Sequence, residues 1–210
     1  MRVVPPGGGE VVGDSPERRV EILSDHDALH ATWSRYAPGR DGADLHVHRR
    51  HTDLFYVLTG ELTLRLGAEG REITLPAGTL ARMPPMVVHG FRNRGAGEVT
   101  YLNLHTPGEG FAQFLRDGDM TPYDQWDPPA EGTRPPEDAA ISRDGQVLAD
   151  EPEIAVDVVD VEGPLAPDDR LTSYWVLDGP DTGAWLQAGP GEEHEVAGPA
   201  RVLRVRVPVG

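Results

Sequence analysis

Short apolar runs closed by glycine or proline turns repeat from Leu54 to His105, and this repetition limits the fold more than any other feature. Leu54–Thr59 is apolar on both faces, as a buried strand is, and Gly60 ends it. In Glu61–Leu66 the leucines at 62, 64 and 66 alternate with Glu61, Thr63 and Arg65. Gly67-Ala68-Glu69-Gly70 makes a hairpin turn, and Arg71–Leu75 returns. Thr79–Met83, Val88–Asn93 and Val99–His105 complete the run, after earlier strands at Arg19–Leu23 and Leu29–Arg35. Strands at this spacing predict an all-β antiparallel sandwich or barrel. The only helix expected is a short one over Gly110–Arg116, packed outside.

The histidines fall where such a sheet would gather them. Asp44–His48 reads as a strand, and residues two apart in a strand share a face, so His46 and His48 point the same way. Two imidazoles on one sheet face suit a metal better than an apolar core, because neutral imidazole nitrogens ligate iron, nickel, copper and zinc. A third ligand is required, and Asp53, His51 and His89 are the candidates.

Two spaced motifs here resemble those of the cupin superfamily. His46-Val47-His48, four residues, Asp53, six residues and Gly60 follow the first motif. Gly78, five residues, Pro84-Pro85-Met86, two residues, His89, three residues and Asn93 follow the second. Asp53 stands where the family usually has Glu, Met86 where it has Gly, and the leading glycine is out of register. The resemblance implies a cupin-type β-barrel (jelly roll) holding one divalent ion, Fe, Ni, Mn, Cu or Zn. Its ligands would be His46, His48 and His89, with Asp53 as the fourth. Aspartate is one methylene shorter than glutamate, so Asp53 could bind through water, yield its place to His51, or act as a general base. A homodimer is also what the family implies.

Composition removes other chemistries. The 210 residues include no cysteine and no lysine, so thiolate zinc sites, thiol nucleophiles and lysine Schiff bases are excluded. A net charge of −16 argues against nucleic acid and anionic membranes as partners. No apolar run has the length of a signal peptide or a membrane span, and a cytoplasmic location is expected.

Four segments are expected. Residues 1–18 read as a flexible arm, with an arm that adds a strand to a partner subunit as the alternative, and 19–116 as the barrel with the metal site. The acidic, proline-rich 117–138 reads as a linker, or as a strap anchored by Tyr123 and Trp126, with a lid over the pocket as the alternative. Residues 139–210 read as a smaller β-rich unit, with strands at 154–161, 173–177, 183–187 and 201–207. There, Gly183–His194 echoes Gly78–His89, and Tyr174–Gly179 echoes Phe55–Gly60, without the intervening hairpin and without His-x-His. The unit is thus read as a degenerate second copy lacking a metal, with chance recurrence of strand-turn patterns as the alternative.

Strand parity puts Phe91 and Asn93 on the face of His89, and Tyr101, Asn103 and His105 on one face of the last strand. Phe91, Asn93, Tyr101 and Asn103 are therefore expected to line the pocket of a small enolic or aromatic substrate. The resemblance extends to small cupin dioxygenases, which makes a metal-dependent oxygenase the leading expectation. A non-redox isomerase, cyclase or lyase and a non-enzymatic binding protein remain open, because cupins host many chemistries.

Overall fold

In the computed structural model, which describes residues 1–143 and 145–209, nearly every element is a strand. Residues 1–18, expected as a flexible arm, carry two: β1 (Arg2–Val4) and β2 (Glu10–Asp14). Val4 is buried, and a buried apolar residue with paired backbone is the reason this stretch is ordered. The remaining strands are β3 (Arg18–His26), β4 (Leu29–Tyr36), β5 (Thr52–Thr59), β6 (Glu61–Leu66), β7 (Arg71–Pro76), β8 (Thr79–Met83), β9 (His89–Arg92), β10 (Val99–Thr106), β11 (Ala140–Arg143), β12 (Val147–Glu151), β13 (Ile154–Leu165), β14 (Leu171–Asp178), β15 (Trp185–Ala188) and β16 (His194–Val207). One α-helix, α1 (Phe111–Asp117), follows β10, and a single 3-10 turn spans Pro136–Asp138. Among the described residues no helix is long and apolar enough to cross a membrane.

The chain divides into two compact units, Val11–Arg143 and Met1–Glu10 with Asp144–Gly210. The first unit is built on a seven-stranded sheet of order β11-β8-β5-β10-β4-β3-β2 and a three-stranded sheet of order β7-β6-β9. Side chains of both sheets meet in one core. Phe55, Val57, Tyr101, Val20 and Met83 come from the larger sheet, and Leu62, Leu64, Leu66 and Leu75 from the smaller. The alternation of Leu62, Leu64 and Leu66 gives β6 its buried face, and truncating the fully buried Leu64 to Ala would cost roughly 2–5 kcal/mol. Gly60 turns β5 into β6 with φ of 71°, and a Cβ there would lie 2.3 Å from the Glu98 carbonyl oxygen, so only glycine fits.

The second unit is one six-stranded sheet of order β1-β15-β14-β16-β13-β12. Its central order β15-β14-β16 parallels β8-β5-β10, and the sequence echo falls on β14 with β15 and on β5 with β8. The β14–β15 connection holds no hairpin. His194 sits at the start of β16 with its Nε2 2.6 Å from the Tyr174 hydroxyl, a packing contact. Among the described residues, His and carboxylate groups close enough to share an ion occur only in the first unit.

Candidate metal centre

The two histidines of the first motif lie on extended backbone rather than in a full strand. His46 forms an isolated bridge with His89, and Val47 one with Trp126. This corrects the expected Asp44–His48 strand: the segment has one strand neighbour on each side for a single residue, too little for a ladder. The i, i+2 geometry survives all the same. His46 N and His89 N each donate to the other's carbonyl at 2.9 and 3.0 Å, which brings the two motifs into contact. The second motif reaches this position through a turn at Met86, whose φ of 68° is left-handed. That conformation explains why a glycine suits the position.

All four expected ligands converge. The His46, His48 and His89 nitrogens and an Asp53 oxygen lie within 4.8 Å of one another, and all four residues are buried. His46 Nε2 is 3.1 Å from His48 Nε2, and His89 Nε2 is 3.1 Å from Asp53 Oδ2. The outer nitrogen of each ring is committed to a carbonyl. His46 Nδ1 donates to Asp44 O (2.7 Å), His48 Nδ1 to Asp124 O (2.6 Å) and His89 Nδ1 to Val87 O (2.9 Å). A carbonyl can only accept, so each neutral ring carries its proton on Nδ1 and turns a bare Nε2 inward. Three lone pairs and a carboxylate oxygen thus face one point with no donor among them. A cation resolves that conflict, and the carbonyls supply the outer contacts that orient ligating imidazoles. The residues present therefore fit a divalent metal.

The electrostatics agree. Burial lowers His46 and His48 below the ordinary imidazole range, which keeps them neutral and able to ligate. Burial works against the Asp53 carboxylate, but His105, whose Nε2 donates to it, holds it well below the usual carboxylate range.

Asp53 compensates for its shorter side chain through neighbours on β10. Asn103 Nδ2 donates to Asp53 Oδ1 at 2.5 Å and to Leu54 O at 3.1 Å. His105 Nε2 lies 3.1 Å from the same Oδ1. With Oδ1 held twice, Oδ2 is the oxygen that faces the three histidines. His51 is not among the four. Its ring stacks on His48 with centroids 3.8 Å apart, both its nitrogens are buried without a hydrogen bond, and it groups instead with His48 and His105.

A cavity of about 210 Å³ opens onto this centre. His46, Asp53, Asn103 and His105 line its polar end, and Phe91, Phe111, Phe114 and Tyr123 its aromatic wall. Phe91 and Asn103 thus stand where parity put them, and Asn93 and Tyr101 do not. The Asn93 amide donates to Tyr36 O and Gly97 O and receives Gly95 N, which ties the β9–β10 turn. Tyr101 is buried in the core between the sheets. His105, which parity grouped with Asn103, was missed as a site residue, as were the aromatics of α1.

The segment 117–138 crosses the site by its middle. Tyr123 is buried against Phe111, Phe114, His51 and His105 and lines the cavity. Asp124 is buried beside it: its carboxylate accepts from Arg49 N and Arg50 N and its carbonyl holds His48. Trp126 pairs its backbone with Val47 while its ring, half exposed, lies under the Arg49 guanidinium.

Comparisons with known proteins point one way. Residues 32–105 match the family model of the cupin domain. Over 82 residues the chain is 32% identical to quercetin 2,3-dioxygenase of Bacillus subtilis, a stretch covering 39% of this chain and 24% of that protein, so the chain spans about a quarter of that relative's length. The structure of the bacterial pirin YhhW of Escherichia coli in complex with nickel(II) superposes with a TM-score of 0.70 at 13% identity, covering 100% of this chain and 99% of that one. Ylba from E. coli gives 0.68 at 14% identity, covering 98% and 89%. Motifs, fold and domain match agree that residues 32–105 form a cupin domain.

Proposed function

We propose that the protein is a metal-dependent cupin oxygenase acting on a small enolic or aromatic molecule. The observation that carries this reading is the convergence of three Nε2 lone pairs and Asp53 Oδ2 at the polar end of an aromatic-walled cavity. A bound divalent ion would supply Lewis acidity and, where the metal is redox-active, a place to hold substrate and dioxygen together. Three histidines and one carboxylate leave coordination positions open, as catalytic sites do.

The chain's own residues do the rest. Phe91, Phe111, Phe114 and Tyr123 exclude water and orient a flat ring. Asn103 and His105 fix Asp53. His105 Nδ1 is buried without a partner, so it can accept a hydrogen bond from a substrate hydroxyl. The similarity to quercetin 2,3-dioxygenase supports the oxygenase reading over its non-redox alternatives.

Elemental analysis of untagged protein, beside its His48→Ala variant, comes first, and oxygen uptake with candidate enols second. Near-stoichiometric iron, nickel, copper or manganese that the variant loses, with oxygen consumed on substrate addition, is the expected result. Turnover of an enol without oxygen uptake would replace this reading with a non-redox one. Protein that neither holds nor takes up metal would end it.

A further inference from the structure

The cavity mouth carries two arginines that the site described so far does not use. Arg18 and Arg40 line it, together with Asp41 and Gln125. Among the described residues neither guanidinium has a hydrogen-bond or ion-pair partner in the protein. For Arg18, which is half-buried rather than exposed, that sets it apart in this acidic chain. Arg19, next to Arg18, pairs with Asp14 and Glu21, and Arg35, Arg50 and Arg116 each pair with an acid. Asp41, the acid at the mouth, is already engaged by Arg92 and Arg94 at 3.9 and 3.5 Å.

The register of β3 explains the contrast. Adjacent strand residues point to opposite faces, and Arg18 shares its face with Val20, which packs in the core between the sheets. Arg18 is therefore an inward-facing, half-buried arginine at the rim, opposite Tyr36 of β4. Arginines in such positions are almost always paired, because a partly desolvated charge without a partner is costly. A chain of net charge −16 also repels anions at long range, so an anionic ligand needs a local cationic entrance.

Volume narrows the ligand further. A cavity of about 150 Å³ accepts benzene, so this one, about 210 Å³, takes a single substituted ring rather than a fused polycycle. We infer that the cavity binds a one-ring aromatic or enolic acid, its hydroxyl toward His105 and the metal centre, its carboxylate toward Arg18 and Arg40. Planar guanidinium groups suit a carboxylate because they donate in a fork that matches its two oxygens. This inference rests on the reading of the cavity as the substrate site and names the class of substrate.

The test is calorimetric binding of 4-hydroxybenzoate and of its neutral methyl ester to the full-length, metal-loaded protein. The acid should bind about ten-fold or more tighter than the ester at low salt, and the margin should shrink at high salt. Arg18→Gln should weaken the acid about 5- to 20-fold and leave the ester unchanged. Arg40→Gln, on an exposed residue that cannot unfold the chain, should act in the same direction. Equal affinity for acid and ester, equal losses for both in the variants, or binding of neither overturns the inference. Tight, arginine-dependent binding of the acid without oxygen uptake by any one-ring enolic acid would instead leave the anion site standing and remove the oxygenase.

Discussion

His46 Nε2 and His48 Nε2 face each other at 3.1 Å while both Nδ1 atoms donate to backbone carbonyls. In neutral rings neither inward nitrogen can donate to the other, so the pair is a repulsive contact until a cation enters. The hydrogen bonds that orient the rings lie outside the cluster.

Metal should therefore stabilise the fold. Removing it with a chelator should lower the thermal midpoint, and adding back a divalent ion at a hundred-fold its dissociation constant should restore about 2.7 kcal/mol. Thermal denaturation of one preparation in three states (as purified, chelated, reloaded) reads this directly. An unchanged midpoint would mean that the four groups hold no ion.

Stability of the metal-free protein should fall with acid. Burial holds His30, His46, His48 and His51 below the ordinary imidazole range. The unfolded chain regains its ordinary affinity for protons, so below a pH of about 6.5 it binds more of them than the native state does. The contribution of these rings is therefore complete above about 6.5 and declines as pH drops, by up to roughly 1.4 kcal/mol per ring per pH unit. Asp53, depressed in the fold, adds its own loss only below about pH 4. Midpoints of chelated protein between pH 8 and 5 should slope downward, and a flat profile would contradict the burial of these rings.

Asn103→Leu keeps the side-chain shape and removes the donor to Asp53 Oδ1. Metal affinity should drop roughly 10- to 100-fold, the usual cost of losing a group that orients a ligand. The metal-free fold should lose about 1–3 kcal/mol for the unsatisfied buried acceptors. Competition against a chromophoric chelator, with a melt of the apo form, separates the two effects. Unaltered affinity would show that Asp53 needs no support.

Met86 occupies the left-handed backbone at which the family motif has glycine, with φ of 68°. Met86→Gly should leave stability unchanged or raise it by up to about 1 kcal/mol, because relief of left-handed strain offsets the lost side chain. Met86→Val should cost more than about 1 kcal/mol, since a branched Cβ is worse in that region. Chemical denaturation of both variants checks the order. Val at or above Gly would place the turn in another conformation.

The two motifs, the strands from β3 to β10 and the turn at Gly60 were legible in the chain because each depends on neighbours a few residues away. Period-two alternation, turn chemistry and the i, i+2 relation of His46 and His48 are local rules. The echo between β5 and β14 was also legible, since both stretches keep the same strand-turn rhythm.

Other features belong to the tertiary structure alone. The partners of the site lie far along the chain: His48 meets Asp124 across 76 residues, and Asp53 meets Asn103 across 50. No periodicity encodes such pairings. Parity could place Asn103 and His105 on one face of β10, but only strand pairing with β5 sets His105 opposite Asp53. It could not show that Asn93 spends its amide on a turn or that Tyr101 is sealed in the core. The N-terminal strands were missed for a similar reason: a glycine- and proline-rich segment has little intrinsic order, and β1 forms because β15 offers it an edge. By itself the sequence determined which residues could ligate and what sheet would carry them. The tertiary structure decided which oxygen of Asp53 faces the histidines, which rings wall the cavity and which charges line it, because these depend on contacts between distant parts of the chain.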